Sequence, residues 1–170
     1  AKGNRKMNEK ALYKITYGLY VVSAEAEGKS SGCVVNTLQQ VTSKPVRLSV
    51  AVNKDNLTCE LMRKAGRFAA VALDQRANLA FIGRFGFRSG RDLEKYEGAS
   101  TAKDAAGMPY CWENACARYS CRVIDTVDLG THMLFVGEAE EMEVLSENEP
   151  LTYGYYRTVI KGGTPKNAPS

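Results

Sequence analysis

A chain of 170 residues, 44% hydrophobic and 25% charged, has the makeup of one ordinary globular domain that can bury a core without staples, which excludes a disordered or fibrous chain. A formal net charge of +4 favours anionic ligands mildly and falls short of the concentrated basic stripe of a nucleic-acid binder. The sequence has no apolar run of about 18 residues and no charged start leading into an apolar segment, so neither a membrane-spanning helix nor a signal peptide is expected.

In chain order, residues 12–24 begin with a short helical or extended segment and run into the β-rich LYVVSA. EAEGKSS, residues 25–31, is a polar turn, and residues 33–35 open the second strand of a hairpin with a longer loop. Pro45 marks the entry to a third strand, in which Val46, Leu48, Val50 and Val52 alternate with Arg47, Ser49 and Ala51 and predict one buried face. Asp55 is placed to cap a helix running to about Lys64, and Gly66 closes it. Residues 68–73 predict a strand and residues 77–84 a second helix. Residues 89–107 are polar and glycine-punctuated, which predicts a long surface loop. Residues 119–127 and 133–144 alternate well enough to be the closing strands.

Several strands, two short helices and no regular βαβ alternation point to a mainly β fold, a barrel with helical insertions. The basic AKGNRK of residues 1–6 reads as a flexible arm or an appended remnant. Residues 7–160 read as one domain, and the Gly/Pro-rich residues 161–170 as an extended tail.

Three polar constellations stand out. Asn36, Thr37, Gln40, Thr42 and Ser43 place short hydroxyl and amide side chains between two apolar strands, which is equally the chemistry of a turn. Asn53, Lys54, Asn56 and Thr58 follow the third strand as a helix cap, and a capped helix N-terminus is itself an anion site, with Lys54 or Thr58 the favoured direct contact. GRFGFRSGRD, residues 83–92, gives three glycines, three arginines and Ser89 within ten residues. Arg84, Arg88 and Arg91 suit either a solvated basic loop or a phosphate clamp. Neither a Walker loop nor a GxGxxG fingerprint is present.

YGLYVVSAEAEGKSSGCVVNTLQQVTSKP, VAVNKDNLT, GRFGFRSGRD, GTHMLFVGEAEEMEVL and PLTYGYYRTVIKGGTPKNAP occur in this order from about Met7 to Pro169. Together they resemble the FMN-binding split-barrel flavin reductases, and within them the FMN-dependent ferric reductases, the flavoredoxins and the flavin domains joined to a rubredoxin. The resemblance implies a Greek-key split β-barrel that works as a homodimer with FMN in a groove at its interface. It places Asn36, Thr37, Gln40, Val41, Thr42 and Ser43 along the flavin, and counts Asn53, Lys54, Asn56, Thr58, Phe85, Ser89 and Arg91 among the cofactor-binding residues. NADH or NADPH is the implied donor. The implied acceptor is free flavin, a ferric chelate, dioxygen or a small redox protein such as rubredoxin. An FMN-binding electron carrier of the flavoredoxin kind, without its own nicotinamide site, is the alternative.

His132 is the sole histidine, so a multi-histidine metal site is excluded. A lone histidine is more often structural, but GTHMLFVGE is similar to the family motif whose histidine faces the flavin or nicotinamide, which implies a role in positioning and charge stabilisation. The cysteines Cys33, Cys59, Cys111, Cys116 and Cys121 are odd in number and argue for reduced thiols in a cytoplasmic setting. Cys111, Cys116 and Cys121 sit five apart, a spacing that converges on no metal from one regular element, and no metal site is expected. Cys33 resembles a family position near the ring, although a small core residue is the simpler reading. Tyr153, Tyr155 and Tyr156 read as core and interface aromatics; the resemblance, in which a comparable C-terminal segment lies near the flavin pocket, implies Tyr155 as a weak site candidate.

Overall fold

The structure, a computed structural model, describes residues 5–86 and 100–161. A 3-10 turn over Glu9–Lys14 leads into strand β1, Tyr20–Ala26, which pairs antiparallel with β2, Lys29–Val35. The hairpin turn is only Glu27-Gly28, not the longer loop expected over residues 25–31. Both turn residues have positive φ, 53° and 76°, which matches the right-handed twist of the flanking strands and keeps them paired to their ends.

A second correction concerns residues 36–43. Gln39–Ser43 is a strand, β3, that pairs with β4, Val46–Asn53, and bulges at Val41. It lies at the sheet edge and every residue in it is exposed, so no hydrophobic alternation marks it in the sequence. The β4 alternation holds: Leu48, Val50 and Val52 are buried. Helix α1, Leu57–Ala65, is capped by Asn56 rather than Asp55; the Asn56 side chain accepts from the Thr58 N–H, and Gly66 ends the helix at φ 64°. Strand β5 is Arg67–Leu73, and α2, Leu79–Gly86, starts two residues later than expected because the Asn78 side chain accepts from the Phe81 N–H.

The expected loop over residues 89–107 falls partly outside the described residues. Its far end is a small hairpin, β6 (Thr101–Lys103) with β7 (Pro109–Cys111). The closing strands are longer than their alternation predicts: β8, Ala115–Asp128, and β9, His132–Val144. A short helix α3, Tyr153–Tyr155, widens into a π turn over Tyr156–Ile160. Among the described residues no helix is long and apolar enough to cross a membrane.

The main sheet runs β2-β1-β5-β8-β9-β4-β3, antiparallel throughout. Strand β4 returns beside β9 instead of beside β5, which is the Greek-key arrangement of a split barrel. Both halves of the sheet curl around one interior, where Val22, Cys33, Val50, Phe68 and Phe135 meet, plugged by Leu61 and Met62 of α1. Each fully buried side chain of this size contributes about 1.5–3 kcal/mol. A second cluster on the other face of β1 and β5 gathers Val21, Val71, Leu73, Phe85, Cys111 and Tyr156. Burial on both faces is why β5 reads as a continuous apolar run over residues 68–73. Across the outside, Arg47, Glu138, Arg122, Glu140 and Arg67 form a chain of alternating charge from β4 to β5.

Candidate functional site

The end of the barrel where β4 stops and α1 starts is built by short polar side chains. Asn53 closes β4, and its side chain accepts from the Asp55 N–H at 2.9 Å. Asn56 then accepts from the Thr58 N–H, also at 2.9 Å. These two bonds turn the chain tightly enough to start α1 directly, and the positive end of the helix dipole faces this corner. The β8–β9 turn comes down beside it: the Lys54 N–H donates to the Thr131 carbonyl at 3.0 Å, and Asn53 pairs in register with His132.

Two charged groups meet there. The Lys54 ammonium donates to Asp128 Oδ1 at 2.5 Å, and the same oxygen accepts from the Gly130 N–H at 2.8 Å. The Lys54 bond, then the Gly130 bond, hold the Asp128 carboxyl below the usual carboxylate range. Lys54 also lines a groove of about 560 Å³ with Cys59, Glu60, Arg63 and Lys64. Cys59 lies at its floor, where burial pushes the thiol up against the opposing pull of Arg63 and Lys54.

His132 stands at the start of β9. Its Nδ1 lies 2.7 Å from Thr131 Oγ1, while Nε2 is shut off from solvent and meets no partner among the described residues. Among the described residues the imidazole is therefore met at one nitrogen only, and a buried polar atom left unmet costs about 1–3 kcal/mol.

The loop after β2 reaches the same corner at one point. Thr37 Oγ1 donates to the Ala51 carbonyl at 2.8 Å and accepts from the Ala51 N–H at 3.2 Å, clasping the loop to β4 two residues before Asn53. Asn36 is half-buried next to it. The rest of the stretch runs away along β4. Gln40 donates to the Thr42 carbonyl at 3.2 Å, Thr42 Oγ1 donates to the Pro45 carbonyl at 2.5 Å, and Ser43 pairs with Val46. At about 3.3 Å per residue, the Ser43 end of β3 lies roughly 20 Å from Asn53. Val41 is exposed at the bulge. Gln40 lines a separate groove of about 380 Å³ with Leu38, Tyr20, Tyr119 and Met142.

Other candidates have different places. Thr58 is completely buried, and its hydroxyl donates to Ser31 Oγ at 2.9 Å beneath the helix start. Phe85 is completely buried against Phe81, with ring centroids 5.5 Å apart. Ser89 and Arg91, with Arg88, lie outside the described residues. Tyr155 is half-buried against the second core cluster, and its N–H is capped by Thr152. All five cysteines are buried free thiols, and burial pushes Cys121 up to about 12. Asp128 and Thr131 are the residues sequence reading missed. The signal was present in DLGTH, because an aspartate two residues before a glycine is a turn former whose carboxylate takes the glycine N–H.

Comparison with known proteins places the chain. The model of the flavin reductase like domain matches residues 12–163. A protein of Archaeoglobus fulgidus named ferric-chelate reductase (NAD(P)H) is 42% identical over 95% of this chain and 96% of its own length. A high molecular weight rubredoxin of Moorella thermoacetica is 40% identical over 96% of this chain and 72% of its own length. Among solved structures, flavoredoxin from Methanosarcina acetivorans superposes with a TM-score of 0.74 over 88% of this chain and 81% of that one, at 21% identity, a likeness of fold. The chain therefore belongs to the flavin reductase like domain family.

Proposed function

We propose that this chain is an oxidoreductase that binds FMN non-covalently and passes reducing equivalents from NADH or NADPH to an acceptor, with a ferric chelate the favoured class. The observation that carries this reading is the corner where Lys54, the start of α1 and His132 come together. Its donor set fits a phosphate-bearing cofactor: one ammonium beside a helix N-terminus. When bound, the flavin supplies acceptance of two electrons from a nicotinamide and their release singly or together.

The chain's own residues would hold and orient. Lys54 would neutralise phosphate charge, with Asn53 and Asn56 keeping the strand-to-helix turn in shape. Asn36 and Thr37, fixed to β4 through Ala51, would set the edge of the flavin, with Gln40, Val41, Thr42 and Ser43 further along β3. Ser89 and Arg91 would complete the phosphate clamp. His132 would position the reacting rings and stabilise developing negative charge. Overall, one NAD(P)H reduces two ferric ions and releases one proton. The full-length match to the Archaeoglobus relative supports the donor and this acceptor class. Five buried free thiols suit a reducing, cytoplasmic setting.

The test is to mix the yellow protein with NADH and NADPH without oxygen. Rapid bleaching followed by reoxidation on adding ferric chelate is the expected result. A preparation that is colourless and takes up no added FMN would overturn the reading. The relative named as a rubredoxin favours a second reading, an FMN-binding carrier fed by a redox protein. Bleaching only through such a partner would select it.

A further inference from the structure

Lys54 is held from two sides. Its main chain is bonded to the β8–β9 turn through Thr131, and its ammonium is bonded to the carboxylate of the same turn. That carboxylate does not depend on the lysine for its position. Asp128 Oδ1 also takes the Gly130 N–H at 2.8 Å, Gly130 has a φ of 89° that suits glycine, and the Leu129 N–H closes the turn on the His132 carbonyl at 2.9 Å. The turn therefore presents a fixed negative charge to the only side chain among Asn53, Lys54, Asn56 and Thr58 that carries a positive one.

We propose that Asp128 is a positioning residue that tethers the Lys54 ammonium in the free protein and competes with an anionic ligand for it, so that this carboxylate limits how tightly the corner takes a phosphate. The inference rests on the reading of Lys54 as a phosphate-binding residue. Three observations support it. The pair is open to water, with side-chain exposures of 31% for Lys54 and 64% for Asp128, so little is lost when it parts. A phosphate arriving at Lys54 meets the Asp128 charge at close range and is repelled by it. Arg63, close enough to influence Asp128 and lining the same groove as Lys54, offers the carboxylate a second cation once Lys54 turns to the ligand.

Asp128→Asn tests this cleanly, because the amide oxygen still accepts from Gly130 while the charge is gone; Asp128→Ser keeps an acceptor too and serves if the first variant folds poorly. FMN and riboflavin affinities are measured by fluorescence quenching at low and high salt, with inorganic phosphate as competitor. Asp128→Asn is expected to bind FMN about three- to fivefold more tightly at low salt, with riboflavin unchanged and the gain shrinking as salt rises. Lys54→Met should lower the FMN-to-riboflavin ratio and cancel the gain in the double variant. If Lys54→Met lowers the ratio and Asp128→Asn leaves it at the parent value or reduces it, Lys54 binds phosphate and this inference fails alone. If Lys54→Met leaves the ratio unchanged, the phosphate reading of Lys54 falls and takes the inference with it.

Discussion

Asn53 and His132 stand directly opposite each other where β4 meets β9, the last residue of one strand against the first of the other. The pairing joins the strand-to-helix turn that carries Lys54 to the hairpin turn that carries Asp128 and Thr131. The two turns are thus joined twice, by the main-chain bond from the Lys54 N–H to the Thr131 carbonyl and by the ion pair between Lys54 and Asp128.

That arrangement gives His132 a cost and a use. Its Nε2 is buried and meets no partner among the described residues. His132→Leu is expected to raise stability by about 1 kcal/mol, a few degrees in melting temperature, while slowing reduction by nicotinamide tenfold or more. Thermal melts and anaerobic stopped-flow traces on the same preparation check both halves. A variant reduced as fast as the parent removes the histidine from turnover.

Much of this architecture was legible because burial imposes period. Val46, Leu48, Val50 and Val52 announced β4, and Gly66 announced the end of α1. What escaped has physical reasons. Strand β3 is a fully exposed edge and carries no apolar pattern. The Glu27-Gly28 turn looked long because the residues around it are polar although they remain paired. Asn56 and Asp55 are both capping types, and only the backbone chooses between them. At the site, the sequence supplied Lys54 and His132 through local motifs. Asp128 lies 74 residues beyond Lys54, and the ion pair between them is a tertiary fact. Thr58 shows the converse: a hydroxyl beside a helix start that the fold turns inward to Ser31.

Asp74 anchors the far side of the molecule and should govern part of its acid stability. Its side chain is completely buried, while Arg76 grips both carboxylate oxygens, with Nη2 at 2.7 Å and Nε at 3.0 and 3.1 Å. Burial pushes this carboxyl up, but the hydrogen bonds and charge of Arg76 outweigh it and hold the group below its usual range. A carboxyl depressed in the folded state stabilises above its unfolded value near pH 4 and loses that stabilisation as pH falls through the folded value. Asp74→Asn is therefore expected to lose about 1–2 kcal/mol at neutral pH, with the gap to the parent closing below about pH 4. Denaturant titrations at pH 7 and pH 3 measure this, and an equal gap at both would refute it.

Gly137 is fixed by crowding rather than by backbone angle. A methyl group there would come within 2.7 Å of Cys121 Cβ and 2.9 Å of Phe68 Cε1, both packed in the main core. Gly137→Ala is expected to cost about 1–3 kcal/mol, because Phe68 has no free space to yield. The same variant should keep the FMN-to-riboflavin ratio of the parent, since β9 carries the strain well away from His132. Urea unfolding decides the first point and flavin titration the second.

The outer face of β4, β9 and β8 leads to the last prediction, a homodimer. Ala51, Leu134 and Val127 share one row of this face, opposite the side where Val50 and Phe135 fill the core. Val127 and, beyond it, Leu129 remain 43% and 52% exposed, and Val41 lies exposed on the edge strand β3. Two copies paired through such a face would bury it isologously and cover the β3 edge, whose outer hydrogen-bonding groups no other strand of the main sheet meets. Light scattering should report about twice the 18.6 kDa chain mass. Leu134→Lys, which places a charge in the middle of the face without touching the core, should shift the protein toward monomer and weaken FMN binding along with it. A parent protein that runs as a monomer and holds FMN at full affinity would refute the prediction.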